Sequence, residues 1–217
     1  AGGRLVVTCG GCVVCCDASG RVLWLRRQIC VPRAGDSHYQ DPNWFEQVHE
    51  PPLVRDGRVY ATQPGVWAVE CLDLETGQLA WRQAVGGLTR PVGLAAGRLI
   101  VQTSDGLTAL ETRSGEHVWH FALEDRPGAR LCGEPGLILV YHLEEEAKPP
   151  ETATFALVWI DAETGEPRDR SVLKPPEPSG PWLGPLVARG DRQWALVADA
   201  EDAKSRRVME LKLDTRP

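Results

Sequence analysis

The chain has 217 residues, 42% of them hydrophobic and 25% charged, which is the make-up of a globular protein long enough to bury a substantial core. Its net charge of −6 argues against a general phosphate-binding surface, so nucleic acid is not an expected partner, and no run reaches the ~18 apolar residues of a membrane span. Gly (22) and Pro (17) are abundant and Trp (8) exceeds Phe (3) and Tyr (3), a balance that suits short strands joined by tight turns.

In chain order, the first unit opens on the Gly-rich turn Gly2-Gly3-Arg4 and the β-branched run Leu5-Val6-Val7. After Cys9-x-x-Cys12-x-x-Cys15-Cys16 it reaches a second turn, Asp17-Ala18-Ser19-Gly20, followed by a strand carrying Trp24. Residues 32–49 then form an insertion rich in polar and aromatic side chains. The second unit repeats the plan with Asp56-Gly57-Arg58-Val59-Tyr60 and then Leu72-Asp73-Leu74-Glu75-Thr76-Gly77-Gln78-Leu79-Ala80-Trp81. The third has Ala96-Gly97-Arg98-Leu99-Ile100-Val101 and then Leu110-Glu111-Thr112-Arg113-Ser114-Gly115-Glu116-His117-Val118-Trp119. The fourth has Pro135-Gly136-Leu137-Ile138 and Ile160-Asp161-Ala162-Glu163-Thr164-Gly165-Glu166, but Asp169 stands where Trp is expected. A fifth begins near Arg189-Gly190 and reaches Leu213-Asp214-Thr215.

Each unit therefore reads as four strands, and in the third these are predicted at 92–95, 99–103, 108–111 and 117–121. Glycine supplies the positive φ of the turn, the acid and hydroxyl bond nearby amides, and the Trp is placed to wedge against a neighbouring unit. Four antiparallel strands in about 40 residues is the size of a propeller blade. The expected fold class is an all-β propeller with blade units at about 1–31, 50–87, 90–125, 128–174 and 181–217. The first unit lacks an innermost strand and the last an outermost one. A larger propeller with three complete and two partial blades in this segment is the expectation, with a thin-ended five-unit ring as the alternative.

The motif resembles the tryptophan-docking repeat of the pyrroloquinoline-quinone-type β-propeller family, Ala-Leu-Asp-x-x-Thr-Gly-x-x-x-Trp. On that resemblance the structural docking residues are Asp17, Gly20 and Trp24; Asp73, Thr76, Gly77 and Trp81; Glu111, Ser114, Gly115 and Trp119; and Asp161, Thr164 and Gly165. Many members use the repeat as scaffold alone. The resemblance implies a scaffold or binding propeller of the bacterial periplasm or cell envelope. Its partner would be another protein or further blades, with a glycan or peptide as other ligand classes.

Two clusters are weighed for chemistry. The vicinal pair Cys15-Cys16 matches, by resemblance, the disulfide over the cofactor in quinone-dependent dehydrogenases, which makes pyrroloquinoline quinone with calcium the alternative to no cofactor. The calcium ligands and catalytic Asp of that chemistry have no assignable counterparts, so catalytic and metal residues are expected to be absent. Alignment of the units puts the cysteines on packing positions, and seven is odd, which excludes a complete disulfide framework. The insertion offers a binding loop of His38, Tyr39, Trp44, Phe45 and His49, as loops on rigid scaffolds commonly do.

Overall fold

The computed structural model describes residues 3–9, 11–29, 50–63, 66–123, 128–131, 136–143, 155–173, 179–182, 187–189, 192–199 and 206–211. The insertion at 32–49, with His38, Tyr39, Trp44, Phe45 and His49, lies outside them. The described residues are strand and turn, with Val66 in 3₁₀ conformation, and the chain divides into two compact units, residues 1–120 and 121–217.

In the first unit, β1 (Arg4–Cys9), β2 (Cys12–Asp17) and β3 (Val22–Arg27) form a three-stranded antiparallel sheet in chain order. The second sheet is β4 (Leu53–Arg55), β5 (Arg58–Gln63), β6 (Ala68–Asp73) and β7 (Leu79–Ala84), again in chain order. The third repeats it with β8 (Leu88–Ala95), β9 (Arg98–Thr103), β10 (Gly106–Glu111) and β11 (His117–Ala122). Two-residue turns of positive φ close β4–β5 (Asp56 50°, Gly57 72°) and β8–β9 (Ala96 48°, Gly97 70°). That backbone hand matches the right-handed twist of paired strands.

The middle strands of the second sheet, β5 and β6, are buried on both faces, because that sheet lies between the first and the third. Val13, Cys15, Val59, Ala61, Leu72 and Leu74 make one core, with Val6, Leu23, Trp24 and Val54 packed against it. Tyr60, Val69, Cys71, Val85, Leu88, Leu99, Val101 and Leu110 make the next. Alternation along β5 and β6 thus sends Val59, Ala61 and Leu72 to one neighbour and Tyr60, Val69 and Cys71 to the other. Each fully buried aliphatic side chain contributes about 1.5–3 kcal/mol.

The second unit contains β12 (Gly128–Leu131), β13 (Leu137–Leu143), β14 (Phe155–Asp161) and β15 (Pro167–Leu173), in sheet order. In its other sheet, β16 (Ser179–Trp182) and β17 (Val187–Arg189) both pair with β18 (Arg192–Asp199), whose far side pairs with β19 (Arg206–Leu211).

Several elements differ from their sequence-based bounds, β10 beginning at Gly106 rather than 108. β8 starts at Leu88 rather than at the predicted 92, and register shifts at Leu88/Arg90 and Pro91/Gly93 let the longer strand carry Pro91 and Gly93. β16 starts at Ser179, ahead of the blade unit expected from 181, and takes in Pro181, which an edge strand tolerates.

Candidate functional site

Four turns built alike are the dominant polar feature. The Asp73 carboxylate accepts hydrogen bonds from the Glu75 amide (3.0 Å), the Thr76 amide (2.8 Å) and the Thr76 hydroxyl (2.8 Å). Glu111 accepts from the amides of Arg113 (2.6 Å) and Ser114 (2.7 Å), and Asp161 from those of Glu163 (2.8 Å) and Thr164 (3.0 Å). Asp17 accepts from the Ser19 amide (2.9 Å) and hydroxyl (2.6 Å) and from the Arg21 amide (3.0 Å), in a turn one residue shorter. These donors stabilise the charged form: the Thr76 hydroxyl and amide hold the Asp73 carboxyl below its ordinary value, and the Ser19 hydroxyl and Arg21 amide do so for Asp17. The amide after the acid reaches the other turn of the same sheet, with Leu74 donating to Gly57 O (2.9 Å), Thr112 to Gly97 O (3.1 Å) and Ala162 to Gly136 O (2.7 Å).

The turn glycines are where neighbouring sheets meet. A Cβ on Gly77 would lie 2.7 Å from Cδ2 of Trp24, and one on Gly115 would lie 2.6 Å from Cε3 of Trp81. The same indoles donate Nε1–H to the sheet they cover, Trp24 to Leu74 O (2.9 Å) and Trp81 to Thr112 O (3.1 Å). Thr112 O also accepts from the Tyr60 hydroxyl (3.4 Å), whose burial pushes its pKa to about 12. Tyr60 and Trp81 are in tilted ring contact at 6.0 Å. Trp119 holds the matching third place on β11, and Gly165 has the matching φ of 77°.

Across β2–β3 and β6–β7 each docking indole faces a small residue, Cys15 opposite Trp24 and Cys71 opposite Trp81. The fourth sheet inverts the pair: Trp159 on β14 is the buried partner of Asp169 on β15.

A second lock was not anticipated from the sequence. Glu70 on β6 is 1% exposed and accepts from Arg26 of the first sheet at 2.7 and 3.1 Å. It also accepts from Arg82 Nε (2.8 Å), Arg82 Nη2 and Gln63 Nε2 (2.9 Å). Burial alone raises the Glu70 pKa, but the bonds from Arg26 and Arg82 more than offset this and leave it below its ordinary value. Gln63 Oε1 in turn accepts from the Ile29 amide (2.5 Å), and Gln28 Nε2 donates to Thr62 O (2.8 Å). The available signal was a charge inside each of three strand-like runs that otherwise alternate.

The cysteines divide. Cys15 and Cys71 are buried, and desolvation pushes both thiols up, whereas Cys9 is exposed rather than packed. Cys15 and Cys16 are free thiols on consecutive positions of β2, so they point to opposite faces, with Cys15 in the core. That arrangement does not fit a shared ring over a quinone, and among the described residues no group of three or more His, Cys, Asp or Glu could hold calcium. Thr108, His120 and Asp105 line up like a nucleophile, base and acid, with Thr108 Oγ1 to His120 Nδ1 3.0 Å and His120 Nε2 to Asp105 3.8 Å. The Thr108 side chain belongs to a residue only 3% exposed, which denies a substrate access to its hydroxyl.

The stacked antiparallel sheets and repeated indole-on-glycine docking define a β-propeller repeat protein of the pyrroloquinoline-quinone type. The chain belongs to the family described as outer membrane protein assembly factor BamB, whose model matches residues 10–181. No curated protein sequence matches it. Among solved structures it is similar to BamB from Moraxella catarrhalis, with 13% identity, TM-score 0.51 and coverage of 95% of this chain and 64% of that one. It is also similar to Kuenenia stuttgartiensis hydrazine synthase (14% identity, TM-score 0.57, 91% of this chain and 53% of that one). A europium-containing methanol dehydrogenase aligns at 16% identity and TM-score 0.50 over 69% of this chain and 35% of that one. At these identities the structural likenesses establish the fold.

Proposed function

We propose that the chain is a non-catalytic binding propeller of the cell envelope that presents a protein partner with a rigid stack of sheets. The observation that carries this reading is how the conspicuous groups of the repeat are engaged. Trp24 and Trp81 are bound to the carbonyls of Leu74 and Thr112, and the Glu70 carboxylate is taken up by Arg26, Arg82 and Gln63. These side chains hold sheet to sheet, which leaves binding to the loops that the scaffold positions. The family description, an outer membrane assembly factor, supports the envelope and a protein partner. On this reading His38, Tyr39, Trp44, Phe45 and His49 form the contact loop.

A photo-cross-linking residue at position 44, expressed in bacterial cells, tests this directly. A single saturable protein adduct in the envelope fraction, lost on changing Tyr39 and Phe45 to Ser, is the expected result. Saturable binding of pyrroloquinoline quinone with calcium, coupled to dye reduction that Cys15→Ser and Cys16→Ser abolish, would replace this reading with a dehydrogenase. Glycan-array binding that depends on Trp44 would replace it with a carbohydrate-binding propeller.

A further inference from the structure

The turn between β1 and β2 carries two thiols that neither the docking motif nor the core uses. The sequence there is Cys9-Gly10-Gly11-Cys12, and strand register sets Cys9 directly opposite Cys12. Gly11 takes a φ of 73°, the backbone hand of a tight hairpin turn. Directly opposed residues of an antiparallel pair project to one face of the sheet. Their Cα atoms stand about 4.5–5.5 Å apart, inside the ~4.4–6.8 Å window of a disulfide. Register, rather than exposure, brings the two sulfurs together, and both are free thiols in this structure.

The other described cysteines are placed where they cannot join this pair. Cys15 is an odd number of residues from Cys12 on β2, so it points to the opposite face and into the core. Cys16 shares the face of Cys12 but lies four positions along the strand, about 13 Å at the rise of a β-strand. Cys71 belongs to the core between the second and third sheets. Two thiols are too few for a closed metal site, and among the described residues no third His, Cys, Asp or Glu joins them. The matching turn of the third sheet, Thr103-Ser104-Asp105-Gly106, has the same register and no thiol, so the hairpin forms without cysteine.

The turn also meets the residues that lead into and out of the 32–49 insertion. The Gln28 amide, just past β3, donates to Gly11 O (2.8 Å). Thr8, next to Cys9, donates its hydroxyl to Glu50 O (3.1 Å).

We propose that Cys9 and Cys12 are a reversible dithiol–disulfide site whose oxidant is a small disulfide of the glutathione class, and that the bridge tightens the turn on which Gln28 rests. One thiolate attacks the incoming disulfide, forms a mixed disulfide and expels the first thiol of the oxidant. The second thiolate attacks the chain-bound sulfur, closes Cys9–Cys12 and expels the second thiol. Two protein thiols and one disulfide become one protein disulfide and two small thiols, the protons passing to the departing thiolates. Opposed strand positions hold Cβ atoms about 4.5–5.5 Å apart, wider than the ~3.5–4.5 Å of a relaxed bridge, so the bond is strained and readily reduced.

The test treats the reduced, folded chain with oxidised glutathione, quenches with acid, alkylates in denaturant and weighs the tryptic peptide 5–21. Loss of two hydrogens is expected, placed by fragmentation between Cys9 and Cys12, with Cys15 and Cys16 alkylated. Reduced glutathione should reverse it. Cys12→Ser should hold glutathione on Cys9 at least about tenfold longer than the wild type, since nothing resolves the mixed disulfide. Exchange of the Gln28 amide should slow by about tenfold in the oxidised chain, and the double variant Cys9→Ser plus Cys12→Ser should show no response to glutathione. A bridge between Cys15 and Cys16, or from either turn thiol to Cys30, would overturn the proposal. So would glutathione resting on Cys9 of the wild type, a bridge that forms only in urea or that reduced glutathione leaves closed, or Gln28 exchange unchanged by oxidation.

Discussion

The indole of Trp81 lies flat against the bare face of Gly115, with Cε3 2.6 Å from where a Cβ would stand. Trp24 and Gly77 repeat the relationship one sheet earlier. Alanine at Gly77 or Gly115 must therefore displace a ring hydrogen-bonded to the same turn, and it also adopts a φ of 69° or 77°. Overpacking of this kind costs about 1–3 kcal/mol, with about 1 more for the backbone. Gly20→Ala bears the backbone cost alone. Urea unfolding of the three variants should show Gly77→Ala and Gly115→Ala clearly less stable than Gly20→Ala.

Glu70→Ala should cost about 2 kcal/mol, less than the ~3–5 kcal/mol of a fully buried pair, because both guanidiniums reach solvent. Its effect on pH dependence has a definite sign. The folded-state pKa of Glu70 lies below its ordinary value of 4.5, so the stabilisation is fully present above that pH and is lost as pH falls through the folded value. Wild type should lose stability steeply below about pH 4.5. Glu70→Gln should flatten that acid limb while lowering the plateau at neutral pH.

Among the described cysteines, alkylation of the native chain should proceed first at the exposed Cys9, with Cys15 and Cys71 reacting only on unfolding. Burial raises both of these thiols, so neither supplies thiolate at neutral pH. Cys71→Ser should destabilise by no more than about 1 kcal/mol in urea unfolding, because the Arg58 guanidinium that donates to Sγ (3.6 Å) can also serve the new hydroxyl.

Ala96 is held at φ 48° in the turn where the second sheet has Asp56 at 50°. Asn adopts that conformation more readily than Ala, so Ala96→Asn should raise stability by about 1 kcal/mol, read as an upward shift of Tm.

The sheet-by-sheet plan was legible because the turn chemistry is local. An acid, a hydroxyl and a glycine at fixed spacing bond one another within a few residues, and the Trp follows at a set distance. The lock at Glu70 was not legible, because Arg26 lies 44 residues away in sequence and meets it only through packing of two sheets. β8 reads short in sequence because Pro91 looks like a strand start, and only the register shifts show pairing continuing back to Leu88.

The exchange of Trp159 and Asp169 across β14 and β15 bears on how such repeats are recognised. In the first two sheets the rung holds a thiol on one strand and an indole on the other; in the fourth the large partner has crossed the ladder. A search along one strand scores that repeat as degenerate, whereas a search across paired strands finds an indole still on the rung. The quantity the rung preserves within this chain is then a two-residue pairing of one indole with one smaller side chain. Substitutions at these two positions should be strongly non-additive, with the double variant Trp159→Cys plus Asp169→Trp milder in urea unfolding than the sum of its single steps.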